Sequence, residues 1–92
     1  MAEIAFERGL RRLRVAGPCT ARDSTALREA VDVHGRSAAR LTIDLTGVPS
    51  ISPEVVSVLA DSVGAVEAEG CRVTIVRKCS SDVDHALREL HR

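Results

Sequence analysis

Residues Leu41 to Leu59 read LTIDLTGVPSISPEVVSVL, and this stretch decides the fold. Leu41, Ile43 and Leu45 alternate with Thr42, Asp44 and Thr46, the period of two expected of a strand with one buried face. Gly47 and Pro49 break the alternation. Ser52 and Pro53 then open a helix. A serine at the N-cap accepts a bond from an orphan backbone N–H, and a proline at the first helical position has the required φ and no donor to waste. Strand, turn and helix in this order are the building unit of an α/β domain.

Working outward toward the N-terminus, Leu10 to Ala16 reads as a strand, with Leu13 and Val15 on one side, Arg12 and Arg14 on the other, and Gly17-Pro18 at its end. Ile4 to Phe6 is a short apolar start at a sheet edge. Thr20 and Asp23 match a capping box, so a helix follows, with Leu27, Ala30, Val31 and His34 as its buried stripe and Gly35 as a stop just past its end. His34 reads as a partner of the helix C-terminal dipole rather than a general base. In the other direction, the helix from Pro53 to Glu69 turns Val55, Leu59, Ser62, Val63 and Val66 toward the core, and Gly70 stops it. Cys71 to Val76 is the last strand. Ser81 and Asp84 form a second capping box, and Val83, Leu87 and Leu90 make the stripe of a short terminal helix. The expected class is α/β, in the order β-β-α-β-α-β-α, with a mixed sheet and helices mainly on one face, because alternating strands bury one side only. Thr42, Asp44, Arg12, Arg14 and Thr74 belong to the open face.

Composition narrows the function. A chain of 92 residues buries roughly 60 to 65 % of the surface its unfolded form exposes, which provides one core and no deep enclosed active site. With 13 basic and 13 acidic residues the net charge is zero, so the phosphate-binding excess of a nucleic-acid module is missing. The basic run Arg8, Arg11, Arg12, Arg14 is read as a solvated sheet face rather than an RNA or lipid contact. Phe6 is the one aromatic residue, which excludes a base-stacking platform. Cys19, Cys71 and Cys79 lack a CxxC pairing and read as reduced thiols, and with His34, His85 and His91 they show no metal-ligand spacing. No signal peptide, lipidation motif or long apolar segment is seen, so the expectation is a protein of the cytosol with no membrane insertion, and no cofactor is implied.

The helix after Ser52 has an unusual outer face. Ser57, Ala60, Asp61, Gly64 and Ala68 are small and carry a single charge, beside Val56, where a solvated helix usually carries Lys and Glu. A mid-helix glycine costs about 1 kcal/mol relative to alanine. Either Gly64 clears a neighbouring loop of its own chain or a partner packs closely on this face. A homodimer through Val56 and the small residues is one such packing.

Across nearly its whole length the chain resembles a STAS domain, the fold of bacterial anti-sigma factor antagonists. The resemblance rests on Leu13-Arg-Val15-Ala-Gly17, on Ala26-Leu-Arg-Glu-Ala30, on Asp44-Leu-Thr-Gly-Val48, on the helix opening at Ser52-Pro53, and on Glu69-Gly-Cys-Arg-Val-Thr-Ile-Val76. Asp44-Leu-Thr-Gly-Val48 is the most specific of these; the others gain weight from their order and spacing. The resemblance implies one STAS-like domain over residues 1–92 that binds proteins and is not an enzyme. It also implies a serine at the helix opening that an anti-sigma kinase phosphorylates, supported by acidic residues beside it and after the Val-x-Gly strand. Here those three positions read Pro53, Ser52 and Thr20. Proline has no hydroxyl, so phosphorylation at the family position is excluded; Ser52, one residue early, remains open as a modification site.

The reading that follows is a module docking a kinase-like anti-sigma factor through Val48, Pro49, Ser50, Ile51, Ser52, Pro53 and Glu54 and, on the outer face of the helix, Ser57, Asp61 and Gly64. The alternative is a STAS-like accessory subunit of a membrane ABC transport complex of the lipid-transport type. An enzyme is the weakest reading: Ser24, Ser50 and Ser52 have no His and Asp constellation in sequence, and no phosphate-cradling glycine loop occurs.

Overall fold

The computed structural model describes residues 2–36, 38–78 and 82–90, with side chains from 83 to 87 in the last segment. Four strands, β1 (Glu3–Glu7), β2 (Arg12–Ala16), β3 (Arg40–Gly47) and β4 (Arg72–Val76), and three helices, α1 (Ser24–Gly35), α2 (Pro53–Ala68) and α3 (Asp82–Leu90), follow in the order β-β-α-β-α-β-α. The strands lie in space as β1-β2-β3-β4. β1 is antiparallel to β2, and the two later pairings are parallel. Each parallel step needs a crossover, and α1 and α2 supply them; two right-handed crossovers moving in the same direction across a sheet place both helices on one face.

Register decides which side chains share that face. Leu13 lies beside Ile43 and Ile43 beside Ile75, while Leu41 lies beside Val73. With Val15 and Leu45 they meet Leu27, Val31, Val55, Leu59, Val66, Val83 and Leu87 in one core, where each fully buried aliphatic side chain contributes about 1.5–3 kcal/mol. The opposite face is held by charge. Arg12 Nε donates to Glu7 Oε1 at 2.8 Å, Arg14 Nη2 lies 3.4 Å from the same oxygen, and Arg12 Nη1 lies 3.8 Å from Asp44 Oδ2. The Arg12 hydrogen bond holds the Glu7 carboxyl below its usual range. Gly70 ends α2 as expected, at φ +101°, a conformation that favours glycine, and the Cys71 N–H then reaches the Val66 carbonyl at 3.1 Å.

Several expectations are corrected. Leu10 belongs to a 3-10 turn, Arg8–Leu10, and is 62 % exposed. β2 therefore starts at Arg12, and of the basic run only Arg12 and Arg14 lie on the sheet face. Thr20 and Asp23 do form the capping box, but it caps a 3-10 turn, Ala21–Asp23, that leads into α1. Gly35 is the last residue of α1, not a stop beyond it, and it is buried. Val56 is 5 % exposed and packs in the core, so it is not available to a homodimer interface; three adjacent helical positions, Val55, Val56 and Leu59, are all needed to fill the space under α2. His34 sits in the last turn of α1 and stacks on Phe6 with ring centroids 3.9 Å apart. The expected cap at Ser81, and Cys79 and His91, lie outside the described residues. Asp84 itself accepts from Arg77 Nε at 2.7 Å.

Candidate protein-docking site

The loop that leads into α2 is braced by the backbone of a second loop. A bulge between Arg14 and Ala16 shifts the β2 register so that Ala16 pairs with Gly47. Past the strand ends the pairing continues: Gly17 N–H donates to the Gly47 carbonyl, Cys19 N–H to Ser50 and Ser52 N–H to Cys19, each at 2.9 Å. Cys19 and Ile51 thus form a parallel bridge. At the root of the loop Asp44 Oδ1 accepts from the Thr46 hydroxyl at 2.6 Å and from the Thr46 N–H at 2.9 Å. These bonds, the hydroxyl first, hold the Asp44 carboxyl below its ordinary range. The Asp-Leu-Thr-Gly run is therefore a clamp that ends β3 and starts the turn, closed by Val48 N–H on the Leu45 carbonyl at 3.0 Å.

Ser52 caps α2. Its backbone is extended, Pro53 takes the first helical position, and Ser52 Oγ accepts from the Val55 N–H at 3.3 Å. Glu54 stands exposed in the first turn, where a negative charge suits the helix dipole. The bond from Ser52 to Cys19 brings Thr20 alongside, so Thr20, Ser52 and Pro53 share one region. Thr20 is fixed by Asp23, whose Oδ2 accepts its N–H at 2.8 Å and whose Oδ1 accepts from the Ala2 N–H at 3.2 Å. The Thr20 N–H is the main cause of a lowered Asp23 pKa.

Of the docking residues expected from sequence, Pro49, Ser50, Pro53, Glu54, Ser57, Asp61 and Gly64 are exposed, and Ile51 and Ser52 are half-buried. Val48 is turned into the core and offers only backbone. Among the described residues, a Cβ built on Gly64 would meet nothing within 4 Å outside its own helix, which speaks against the reading in which Gly64 clears a loop of this chain. Ser62 faces inward and its hydroxyl donates to the Val58 carbonyl at 2.8 Å. Beside the loop, Thr46, Gly47, Val48, Pro49 and Lys78 line a depression of about 370 Å³. Cys19 and Cys71 are buried free thiols whose pKa is pushed up, mainly by desolvation, which makes them poor nucleophiles. Among the described residues no group of three His, Cys, Asp or Glu is placed to hold a metal ion, and no helix is long and apolar enough to cross a membrane. The brace through Cys19 is the part of this region that the sequence does not announce. Its only trace was the Gly17-Pro18 break, which announces the end of β2 and not the backbone pairing that continues after it.

Residues 3–90 match the family model described as Mlab, STAS domain. The chain belongs to this STAS family. In three dimensions it is similar to the crystal structure of an antisigma-factor antagonist STAS domain from Rhodobacter sphaeroides, at 22 % identity and a TM-score of 0.64 over 94 % of this chain and 89 % of that one. It is also similar to the crystal structure of Mglu, at 20 % identity and a TM-score of 0.66, where it covers 86 % of its own length and 20 % of the larger chain. No curated protein matches it.

Proposed function

We propose that this STAS domain is a non-catalytic protein-binding module of the anti-sigma factor antagonist type. It docks a kinase-like anti-sigma factor through the loop from Val48 to Glu54 and the outer face of α2 at Ser57, Asp61 and Gly64. The observation that carries this reading is the open space over Gly64, on a small-residue face continuous with the braced loop. A partner can approach the helix backbone there, and a loop already ordered by bonds to Gly17 and Cys19 lowers the entropy cost of docking. Pro53 offers no hydroxyl, and Ser52 Oγ is engaged by the Val55 N–H. With no acceptor at the family position, the module stays in the binding state that a phosphate, with about −1.5 to −2 charges, would oppose, unless Ser52 is modified in its place.

The same proline favours a second reading, an accessory subunit held permanently on a membrane ABC transport complex, since a permanent contact needs no switch. Affinity capture from native extract, comparing the wild type with Gly64→Lys and identifying what is retained, separates the two. A kinase-like anti-sigma factor retained by the wild type and lost by the variant supports the first reading, and a transport ATPase so retained selects the second. Equal retention by both proteins, with equal melting temperatures, would overturn the docking face.

A further inference from the structure

We propose that the end of the sheet remote from the start of α2 binds a phosphate group. Arg8 in the 3-10 turn, Arg11 at its C-cap, Arg36 just beyond α1 and Arg40 at the start of β3 line, with Phe6, His34 and Ala38, a pocket of about 340 Å³ that opens at this end of the sheet. That volume lies in the usual range for small-molecule sites. Among the described residues, no carboxylate lines it. Arg36 is held by Asp32 at 2.7 Å, while among the described residues no ion pair engages Arg8, Arg11 or Arg40. In a chain with equal numbers of acidic and basic residues, four arginines lining one hollow, three of them outside any ion pair among the described residues, are a segregation of charge.

Two local features of this end are unfavourable in themselves. Arg40 lies directly opposite Arg72 across the β3–β4 ladder, a like-charge pair. Arg11 has φ 48° and ψ 44°, the left-handed region that favours glycine. A dianion among the arginines that line the pocket would offset the positive charge of Arg40 and draw on the left-handed Arg11, whose conformation places it in the lining. Guanidinium groups present paired N–H donors that match phosphate oxygens, and the stacked Phe6 and His34 rings, 10° from coplanar, form one side of the hollow. The negative end of α1 is partly answered by its own bonds, Arg36 N–H to the Asp32 carbonyl and Ala38 N–H to Gly35.

The site lies at the opposite end of β3 from the docking loop, about 25 Å away at the rise of a strand, so its failure and that of the docking face can be told apart. The test is a titration of ¹⁵N-labelled protein with inorganic phosphate against chloride at matched ionic strength. Saturable shifts at Arg8, Arg11, Ala38 and Arg40, absent from Ser50 to Glu54, are expected. The double variant Arg8→Gln, Arg40→Gln should weaken them about tenfold or more, since hydrogen bonds between charged groups are the strong ones. Arg11→Gly should weaken binding while leaving the melting temperature unchanged or higher, a combination that loss of folding cannot imitate. Sedimentation with phosphatidylcholine vesicles containing phosphatidic acid then separates the sources. Retention competed by inorganic phosphate assigns a lipid headgroup, and binding of soluble phosphate without retention assigns a free phosphorylated ligand. Shifts that follow ionic strength alone, or a double variant that binds phosphate as the wild type does, would overturn the proposal.

Discussion

The two faces of α2 treat the same residue type in opposite ways. On the inner face Val66 packs onto Gly35 of α1 so closely that a Cβ there would stand 2.9 Å from Val66 Cγ1. On the outer face Gly64, two positions earlier, has nothing within 4 Å of where its Cβ would be. Gly35 is accounted for inside the domain, because it lets two helices approach. Gly64 weakens its helix, and no described residue packs on it in compensation. One face of this helix is shaped by folding, and the other carries no such packing constraint among the described residues.

The largest effect should come from closing the inner gap. Gly35→Ala leaves the backbone unstrained, since Gly35 is not among the positive-φ residues, but it drives a methyl into the branched Val66 side chain. Overpacking of this kind costs about 1–3 kcal/mol, and in a domain this small each kcal/mol lowers the melting temperature by about 4–8 °C. A thermal scan that shows no loss would mean that Gly35 does not set the spacing of the helices, and the contrast would fail. Ser52→Ala comes next. It removes the acceptor of the Val55 N–H, and loss of an N-cap typically costs about 1 kcal/mol. Denaturant unfolding should show that loss without a change in slope, because the inner face stays packed.

How far the sequence revealed this contrast depends on the kind of residue. Leu41, Ile43 and Leu45, with Leu13 and Val15, gave away the sheet because strand alternation is a local signal, and the N-cap at Ser52-Pro53 was legible for the same reason. The roles of Gly35 and Gly64 were not separable, since a glycine near a helix end reads as a stop and only the three-dimensional position of Val66 shows that it is a contact. Val56 misled because three apolar residues among Val55, Val56 and Leu59 make a wider stripe than a two-layer domain needs on average, and the width of a buried face depends on the neighbours that cover it. The brace through Cys19 joins residues about thirty positions apart by backbone atoms alone, which no side-chain pattern encodes. The arginine pocket is assembled from four separate elements, and only the turn at Arg8 to Arg11 was visible as a run.

Acid should loosen the brace next to the outer face before it affects the inner one. The Asp23 carboxyl has a pKa lowered from 3.8, chiefly by the Thr20 N–H. Above the unfolded value both states are ionised and the whole contribution to stability is present; as pH falls toward the lower folded value the unfolded chain takes up the proton first and the contribution drains away. The stability difference between wild type and Asp23→Asn should therefore be constant near neutrality and shrink as pH drops through the folded pKa. Protection of the Thr20 and Ala2 amides, corrected for the intrinsic exchange rate at each pH, should fall ahead of that of Val31 and Leu59. A difference that grows on acidification would contradict the assignment.

The smallest change tests the outer face most sharply. Gly64→Ala adds one methyl where the domain has open space, so it should raise stability by about 0.5–1 kcal/mol through the lower entropy of the unfolded chain and the better helix propensity. If the outer face binds a partner closely, that methyl lies at the contact and capture should weaken although the protein is more stable. Stability and binding moving in opposite directions cannot arise from damage to the fold. A stabilised variant with undiminished capture would mean that the partner stands off from this part of α2, leaving the loop from Pro49 to Glu54 to carry the contact. A destabilised variant would mean that Gly64 is needed inside the domain after all, and the difference between the two faces would disappear.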